Sequence, residues 1–312
     1  MSKKLKYAVI SLSLAAIVGV SAAASACTIK TKHPRAKITV EFNDKTYDLE
    51  FTLYRNMYPQ TVQHFIELAD EGFYDNMIIH NYTSTDWFTG SYTYNAESYK
   101  TSYSNSGLLS EYMENHSKEQ AYYNLFNDGK LTPSVYKTAV YDGNKQTVSR
   151  DDALPNLIGE FPSNDHNIEK NALTETFGAL KYYYYNKGTT NKPVTIKTSF
   201  NEILEHDYKY NCATSVFAIQ SGSGSSYSSQ NYCIFGQLRN DKNIDKLNEL
   251  DDAIDDYISD ELDGNSDDFT KSVTTNVDNL DSFAPDGGKS IEVSFTVTSM
   301  PLIIRTVKIT KY

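Results

Sequence analysis

The stretch YPQTVQHFIELADEGFYDNMIIHNY, residues 58–82, carries the pattern that decides the fold. It predicts a helix whose apolar stripe, at helical spacing, consists of Val62, Phe65, Ile66 and Ala69. Pro59 suits the first turn of this helix and Gly72 suits its end. A short apolar strand follows the helix and leads to His80 and Asn81.

Short β-runs lie on both sides of this helix. Residues 36–54 alternate between polar and apolar side chains around a polar break at 43–45, which predicts a β-hairpin. Further β-runs lie at residues 176–185, 212–220, 231–238 and 289–310, the last of them interrupted at Pro301. Several short strands with few helices indicate a β-barrel or a β-sandwich, and we expect the terminal strand to close the sheet.

Two long segments are interpreted as insertions in a single domain that spans residues 38–312. Residues 92–155 are rich in Tyr, Ser and Asn, and we expect a loop at 98–109 and a helix within 110–129. Residues 240–287 include an apolar stripe at helical spacing between 243 and 262, which predicts a helix with a solvated acidic face.

The N-terminus is typical of an export signal. Lysines at 3, 4 and 6 precede an apolar run at 8–20, and small residues end at Cys27. This pattern predicts a signal peptide at 1–26, lipid attachment at Cys27, and a linker at 27–37 that anchors the protein to the outer face of the cell membrane. The alternatives are cleavage into a secreted protein and an uncleaved segment that acts as a membrane anchor.

Composition narrows the classes of function. A chain of 312 residues with 39% hydrophobic content can bury a substantial core, and its formal net charge of -11 opposes binding to nucleic acid. Cys212 and Cys233 each lie beside an apolar strand-like run, which favours free buried thiols over a disulfide. No spacing of cysteine or histidine suggests a metal site, and no cofactor is expected.

Residues 58–82 resemble the cyclophilin family of peptidyl-prolyl cis-trans isomerases, whose pattern is P-x-T-V-x-N-F-x-x-L followed by G-x-Y and F-H-R. The matching positions are Pro59, Thr61, Val62, Phe65, Leu68, Gly72, Phe73, Tyr74 and His80. Five later blocks resemble the family's in the same order: LIGEF (157–161), FGALKY (177–182), SVFAI (215–219), CIFGQL (233–238) and SMPLIIRTVKI (299–309). The resemblance implies a mainly β fold, a closed eight-stranded antiparallel β-barrel capped by helices, with a large loop insertion.

The resemblance also implies the reaction. Rotation about an X-Pro bond has a barrier of about 18–20 kcal/mol because the nitrogen lone pair is delocalised into the carbonyl. The catalyst grips the proline ring and donates a hydrogen bond to the imide nitrogen as the lone pair localises, which stabilises the twisted state. This chemistry needs no nucleophile, metal or cofactor.

The site residues are carried over from the family position by position. The family's donor is the Arg directly after the motif His, so His80 and Asn81 are the predicted catalytic residues. A neutral amide is a weaker donor than a guanidinium, so we expect reduced activity. Ala218 stands where the family has a Phe of the proline pocket, and Val216 stands at its Gln. The predicted substrate contacts are Trp87, Phe88, Thr89, Phe217, Tyr227 and Tyr232.

Two classes of function follow. In the first, the protein is an extracytoplasmic isomerase that assists the folding of exported proteins by acting on proline-containing peptides or unfolded chains. In the second, it is a catalytically silent lipoprotein that binds a peptide or protein. A structural interpretation also stays open for the site, in which His80 is a hydrogen-bonded structural histidine and the aromatic residues are barrel core.

Overall fold

The computed structural model describes residues 31–118, 139–140, 157–158, 160–162, 166–168, 173–197, 203–224, 232–278 and 290–312. Within these ranges the helices are α1 (Pro59–Asp70), α2 (Ala96–Tyr103), α3 (Ser106–Asn115), α4 (Asp241–Glu261) and α5 (Ser266–Phe269). The strands are β1 (Arg35–Phe42), β2 (Lys45–Leu53), β3 (Met77–Ile78), β4 (Asn81–Tyr82), β5 (Asp86–Thr89), β6 (Ala139–Val140), β7 (Leu157–Ile158), β8 (Ala179–Lys197), β9 (Ile203–Gln220), β10 (Tyr232–Leu238), β11 (Thr270–Asp278), β12 (Ser290–Thr298) and β13 (Ile303–Lys311).

The predicted hairpin forms from β1 and β2. Phe42 pairs with Lys45 across a two-residue turn, in which Asn43 and Asp44 have φ values of 47° and 62°. Asn and Asp tolerate this left-handed conformation, and such turns match the twist of the flanking strands. Buried and partly buried side chains alternate along β1, so one face of the hairpin packs on the core.

The main sheet is antiparallel and curls round so that its two ends meet. Its strands follow the order β3-β13-β1-β2-β10-β8-β9-β5-β4, with β6 on β8 and β7 on β9. The first and last strands, β3 and β4, belong to one continuous segment that is interrupted only at Ile79 and His80. The prediction of a mainly β antiparallel fold is therefore confirmed, and so is the placement of the terminal strand β13 inside the sheet.

The expected count of eight strands is wrong, because the described part of this sheet has eleven. Two causes explain the difference. The segment Met77–Tyr82 contributes one short strand to each end of the sheet, and the long pair β8–β9 extends far enough to carry β6 and β7 beside it. A further pair, β11–β12, forms a separate two-stranded sheet.

Helix α1 lies against the concave side of the curled sheet, as its apolar stripe predicts. Val62 and Phe65 are fully buried in the main core, and the Phe65 ring lies 5.3 Å from the ring of Phe217 on β9 and 5.1 Å from the ring of Phe235 on β10. The helix ends at Asp70, and Gly72 with φ 66° turns the chain towards β3. The helix therefore joins the two halves of the sheet.

A carboxylate from a distant loop caps the N-terminus of α1. The N-cap residue Tyr58 has no side chain that can accept a hydrogen bond from the first turn. Glu160 takes that role, because its Oε1 accepts from Gln60 N at 3.2 Å and its Oε2 from Thr61 N at 2.9 Å. Glu160 is buried, and burial raises the pKa of its carboxyl. A negative charge is favourable at a helix N-terminus, so this contact ties residue 160 to the helix.

We expect Glu160→Ala to lower the free energy of unfolding by about 1–3 kcal/mol, because it leaves two buried N–H groups without their acceptor. Urea unfolding followed by circular dichroism measures the change. The matched control is Glu114→Ala, which removes an exposed glutamate from α3. Equal stability of the Glu160→Ala and Glu114→Ala variants would show that the helix does not need this acceptor.

Helices α2 and α3 and strands β11 and β12 form a second unit, which we call the cap. Its members are joined by buried side chains and by hydrogen bonds, including Tyr99 OH to Thr298 O at 2.8 Å and Thr275 Oγ1 to Ser110 O at 3.1 Å. Its apolar cluster consists of Ile78, Tyr92, Tyr99, Leu109, Tyr112, Met113, Val273 and Val297. Ile78 belongs to β3, so the cap rests on the barrel beside the closing segment.

The cap corrects one sequence prediction. Residues 98–109 were expected to form a loop, but they lie in α2 and the start of α3. Both helices begin at an asparagine, since Asn95 Oδ1 accepts from Ser98 N and Asn105 Oδ1 accepts from Gly107 N. Only the first part of the predicted 110–129 helix, up to Asn115, lies in α3, and residues beyond 118 lie outside the described ranges. The predicted helix in the second insertion is confirmed as α4.

The two cysteines of the predicted strands lie on different strands of the sheet. Cys233 on β10 pairs with Tyr182 of β8, and Cys212 on β9 pairs with Tyr185 of the same strand. Strand β8 therefore lies between the two strands that carry them. Cys233 is a buried free thiol, as its apolar surroundings predict.

Candidate functional site

One row of side chains crosses the outer face of the sheet and includes both positions that the sequence singled out. Cross-strand pairs run from Asn81 to Phe88, from Phe88 to Ala218, from Ala218 to Lys181 and from Lys181 to Ile234. Residues directly opposite each other in antiparallel strands point to the same face. The predicted donor Asn81 and the predicted pocket position Ala218 therefore lie on one face, away from the main core.

The predicted contact residues lie on two faces of the sheet. Phe88 and Tyr232 belong to the apolar cluster on the outer face, together with Ala179, Ala218 and Ile234. Trp87 and Phe217 lie in the main core. Thr89 is also buried, pairs with Phe217, and donates its hydroxyl to Ile78 O at 2.9 Å. In this conformation Trp87, Thr89 and Phe217 shape the barrel from inside and do not line the outer face.

The side chain of Asn81 is fixed by the cap. Thr296 N on β12 donates a hydrogen bond to Asn81 Oδ1 at 3.0 Å. A backbone N–H can only donate, so the oxygen of the amide must face Thr296 and the nitrogen Nδ2 must face away. Within the described ranges nothing accepts a hydrogen bond from Nδ2, and the residue is only half-buried. Nδ2 is thus an oriented donor that is available to a ligand.

His80 is enclosed between the barrel and the cap. Its ring makes edge contacts with Tyr92 at 5.3 Å and with Phe295 of β12 at 5.0 Å, and its backbone N donates to Phe88 O at 2.9 Å. The side chain is 2% exposed, and burial lowers the pKa of its imidazole to about 3. His80 is therefore neutral at pH 7, and it acts on Asn81 by holding the backbone next to it.

We expect acid to destabilise the protein through His80. The unfolded chain protonates this imidazole below its ordinary pKa near 6.5, whereas the folded protein keeps it neutral down to about pH 3. This contribution to the free energy of unfolding is complete above pH 6.5 and is lost as the pH falls from 6.5 to about 3. The loss due to His80 between pH 7 and pH 5 is about 2 kcal/mol.

His80→Phe keeps a ring between Tyr92 and Phe295 and removes the titration. Unfolding free energies at pH 7 and pH 5 should therefore differ by about 2 kcal/mol less in this variant than in the wild type. The exposed His33→Gln is the matched control and should keep the wild-type difference. The same pH dependence in the wild type and in His80→Phe would contradict the assignment.

Sequence reasoning missed a buried charge cluster on the same face. Lys181 Nζ lies 3.0 Å from Asp86 Oδ1 and 2.6 Å from Glu175 Oε1, and 5.1 Å from the centre of the Tyr232 ring. Lys181 and Asp86 are fully buried, and the Glu175 side chain is 26% exposed. A lysine among the apolar and aromatic residues of a predicted strand was the available signal, but its partners lie on other parts of the chain.

Two predicted site residues lie outside the described ranges. These are Tyr227, predicted to contact substrate, and Cys27, predicted to carry the lipid. In the part of the chain that the structure describes, no helix is both long enough and apolar enough to cross a membrane. The same residues contain no cluster of three side chains suited to bind a metal ion.

Comparison with known proteins gives a family match. Residues 37–150 match the family model of cyclophilin type peptidyl-prolyl cis-trans isomerases, which confirms the resemblance to this family. Comparison with curated protein sequences finds no significant match.

Solved structures of cyclophilins are also similar to this chain, and three of them match at low sequence identity. A Cryptosporidium parvum cyclophilin type peptidyl-prolyl cis-trans isomerase is 15% identical with a TM-score of 0.33, and the alignment covers 90% of this chain and 99% of that one. The same protein in the presence of the dipeptide Ala-Pro is 13% identical with a TM-score of 0.32, and the alignment covers 89% of this chain and 99% of that one. The Mimivirus cyclophilin is 12% identical with a TM-score of 0.33, and the alignment covers 70% of this chain and 78% of that one.

Proposed function

We propose that this chain, whose residues 37–150 match the cyclophilin type peptidyl-prolyl cis-trans isomerase family, is a slow peptidyl-prolyl isomerase for exported proteins. The observation that supports this function is the orientation of Asn81. Its Oδ1 accepts a hydrogen bond from Thr296 N, and its Nδ2, for which the described residues offer no acceptor, lies at the face that also carries Phe88 and Ala218.

The reaction needs little more than such a donor. In the planar X-Pro imide the nitrogen lone pair is delocalised into the carbonyl and cannot accept a hydrogen bond. In the twisted transition state the lone pair is localised on the nitrogen, which can then accept one. A donor aimed at that nitrogen stabilises the transition state and not the ground state, so it raises the rate. Because Asn81 is fixed before substrate binds, no reorganisation is needed at the moment of rotation.

Two features support a reduced rate. First, the amide of Asn81 is neutral, and it makes a weaker hydrogen bond than the charged guanidinium found at this position in the family. Second, the outer face is closed in this conformation, since Phe88 is 6% exposed and Ala218 is fully buried, with Leu173 packed against their cluster. Residues that cover the face must move before a proline ring can reach Ala218.

The second candidate is a silent binding protein. The observation that favours it is the same closure, together with the bond between Asn81 and the cap, because both stabilise the structure without any ligand. In this case the cyclophilin fold serves as a scaffold, and the partner binds without any acceleration of cis/trans exchange.

Two substitutions of Asn81 separate its roles as acceptor and donor. Asn81→Asp keeps an oxygen for Thr296 N but removes the Nδ2 donor, whereas Asn81→Ala removes both. If Nδ2 is the catalytic donor, both variants should lose isomerase activity to a similar extent, on the order of 10²-fold. The measurement is exchange-spectroscopy NMR on an Ala-Ala-Pro-Phe peptide.

The pattern of the results decides between the roles. Loss in Asn81→Ala with retention in Asn81→Asp would show that the bond to Thr296 matters and the donor does not. Absence of exchange acceleration by the wild type, with peptide signals that shift on addition of protein, would favour the silent binding protein. Asn81→Arg is a poor test of this site, because arginine accepts no hydrogen bond and leaves Thr296 N without its partner.

The proposal includes export and a lipid anchor on Cys27, and the support for both is the lysine-rich and apolar N-terminal pattern. We expect expression in a bacterium with a lipoprotein pathway to give a mature chain that begins at Cys27 and carries acyl chains. Mass spectrometry of the N-terminal peptide measures this, with Cys27→Ser as the control that cannot be lipidated. A mature N-terminus with an unmodified Cys27 would leave secretion as the better account.

A further inference from the structure

Lys181 is a buried cation at the centre of the outer-face row. It stands between Ala218 and Ile234 in the cross-strand pairs, and it is fully buried. An isolated charge in such a place is very costly, so lysine is tolerated there only with partners. Its partners are Asp86 at 3.0 Å and Glu175 at 2.6 Å.

The two carboxylates differ in origin. Asp86 is part of β5 and fully buried, so the sheet itself holds it beside Lys181. Glu175 lies outside any strand, in the segment 173–178 that precedes β8, and 26% of its side chain is exposed. The Lys181 ammonium therefore pairs with two carboxylates, of which Asp86 is buried in the sheet and Glu175 is partly exposed to water.

The rest of the face is apolar. Phe88, Ala218 and Ile234 form its cluster, and the Tyr232 ring lies 5.1 Å from Lys181 Nζ. Leu173 packs on this cluster, and Glu175, two residues further along, binds Lys181. The segment 173–178 thus places one apolar and one acidic side chain on the face, side by side.

We propose that Lys181 is a specificity-determining residue that selects peptide segments with an acidic residue next to an apolar residue or proline. In this inference, which rests on the proposed function, Glu175 occupies the position of the substrate's carboxylate. An incoming carboxylate replaces Glu175 at Lys181, and Leu173 leaves the apolar cluster to the neighbouring side chain of the peptide.

The exchange conserves the charge pairing of the face. Before and after it, Lys181 contacts Asp86 and one further carboxylate, so no buried charge is left without a partner. Glu175 can enter water when it is displaced, because 26% of its side chain is already exposed. A neutral peptide displaces Glu175 and supplies nothing to Lys181, so it binds more weakly.

The test compares two acetylated and amidated peptides, Ala-Glu-Pro-Phe and Ala-Gln-Pro-Phe, which differ only in the carboxylate. Their affinities for the full-length chain are measured by NMR titration in low salt. We expect the wild type to bind the Glu peptide several-fold more tightly. Glu175→Gln removes the internal competitor, so it should raise the affinity for both peptides by a similar factor and keep the preference for the Glu peptide. Glu97→Gln, an exposed substitution on α2, is the matched control and should leave both affinities unchanged.

A second variant tests the cation directly. Lys181→Met alone leaves Asp86 buried without a partner and is expected to unfold the protein. The double variant Lys181→Met/Asp86→Leu replaces the pair with apolar side chains of similar size, a change that folded proteins tolerate. It should abolish the preference for the Glu peptide and give a ratio near one. A preference that persists in this variant would overturn the proposal.

The outcomes separate this inference from the proposed function. An unchanged affinity for both peptides in Glu175→Gln would show that Glu175 does not compete with the peptide, and it would overturn the exchange at Lys181. Acceleration of proline exchange with equal affinities for both peptides would leave the isomerase standing and remove only this inference. Failure of both peptides to bind any variant would overturn both.

Discussion

The closing segment Met77–Tyr82 is the constraint on which the rest of the structure depends. At one end Met77 and Ile78 pair with β13, and at the other Asn81 and Tyr82 pair with β5. Between the two pairings, Ile79 N donates to Leu302 O and His80 N donates to Phe88 O. The chain changes its partner from one end of the sheet to the other within two residues. The backbone of His80 and Asn81 is thus held from both sides, and a site at this point needs no further support.

The alternation of the strands then decides what each side chain can do. Tyr82 and Asn81 are neighbours on β4, but Tyr82 stacks on Trp87 at 5.8 Å in the core, whereas Asn81 faces outwards. The same alternation places Phe217 inside and Ala218 outside on β9. A substitution of one residue along these strands therefore changes either the packing of the barrel or the outer face, and seldom both.

Much of the barrel could be predicted from the sequence because its signals are local. The β1–β2 turn, the stripe of α1 and the short β-runs each depend on residues within one element. The cap could not be predicted in this way. Tyr99 and Tyr112 are buried against β11 and β12, which follow more than 150 residues later, so a segment rich in Tyr, Ser and Asn folds into helices only because a distant hairpin covers it. The charge cluster at Lys181 was missed for a similar reason, since Asp86 lies almost 100 residues away in the sequence.

The cap and the residue at position 81 depend on each other chemically. Strand β12 brings the partly buried N–H of Thr296 to the edge of the barrel, where Asn81 Oδ1 accepts its hydrogen bond. Arginine, which the cyclophilin pattern has after the histidine, donates only and cannot serve. Asparagine supplies an acceptor to the cap and keeps a donor for a ligand, so it is one of the few side chains that can satisfy both at once. The cap and Asn81 therefore depend on one contact, in which β12 donates to the amide oxygen and so orients the amide nitrogen away from the cap.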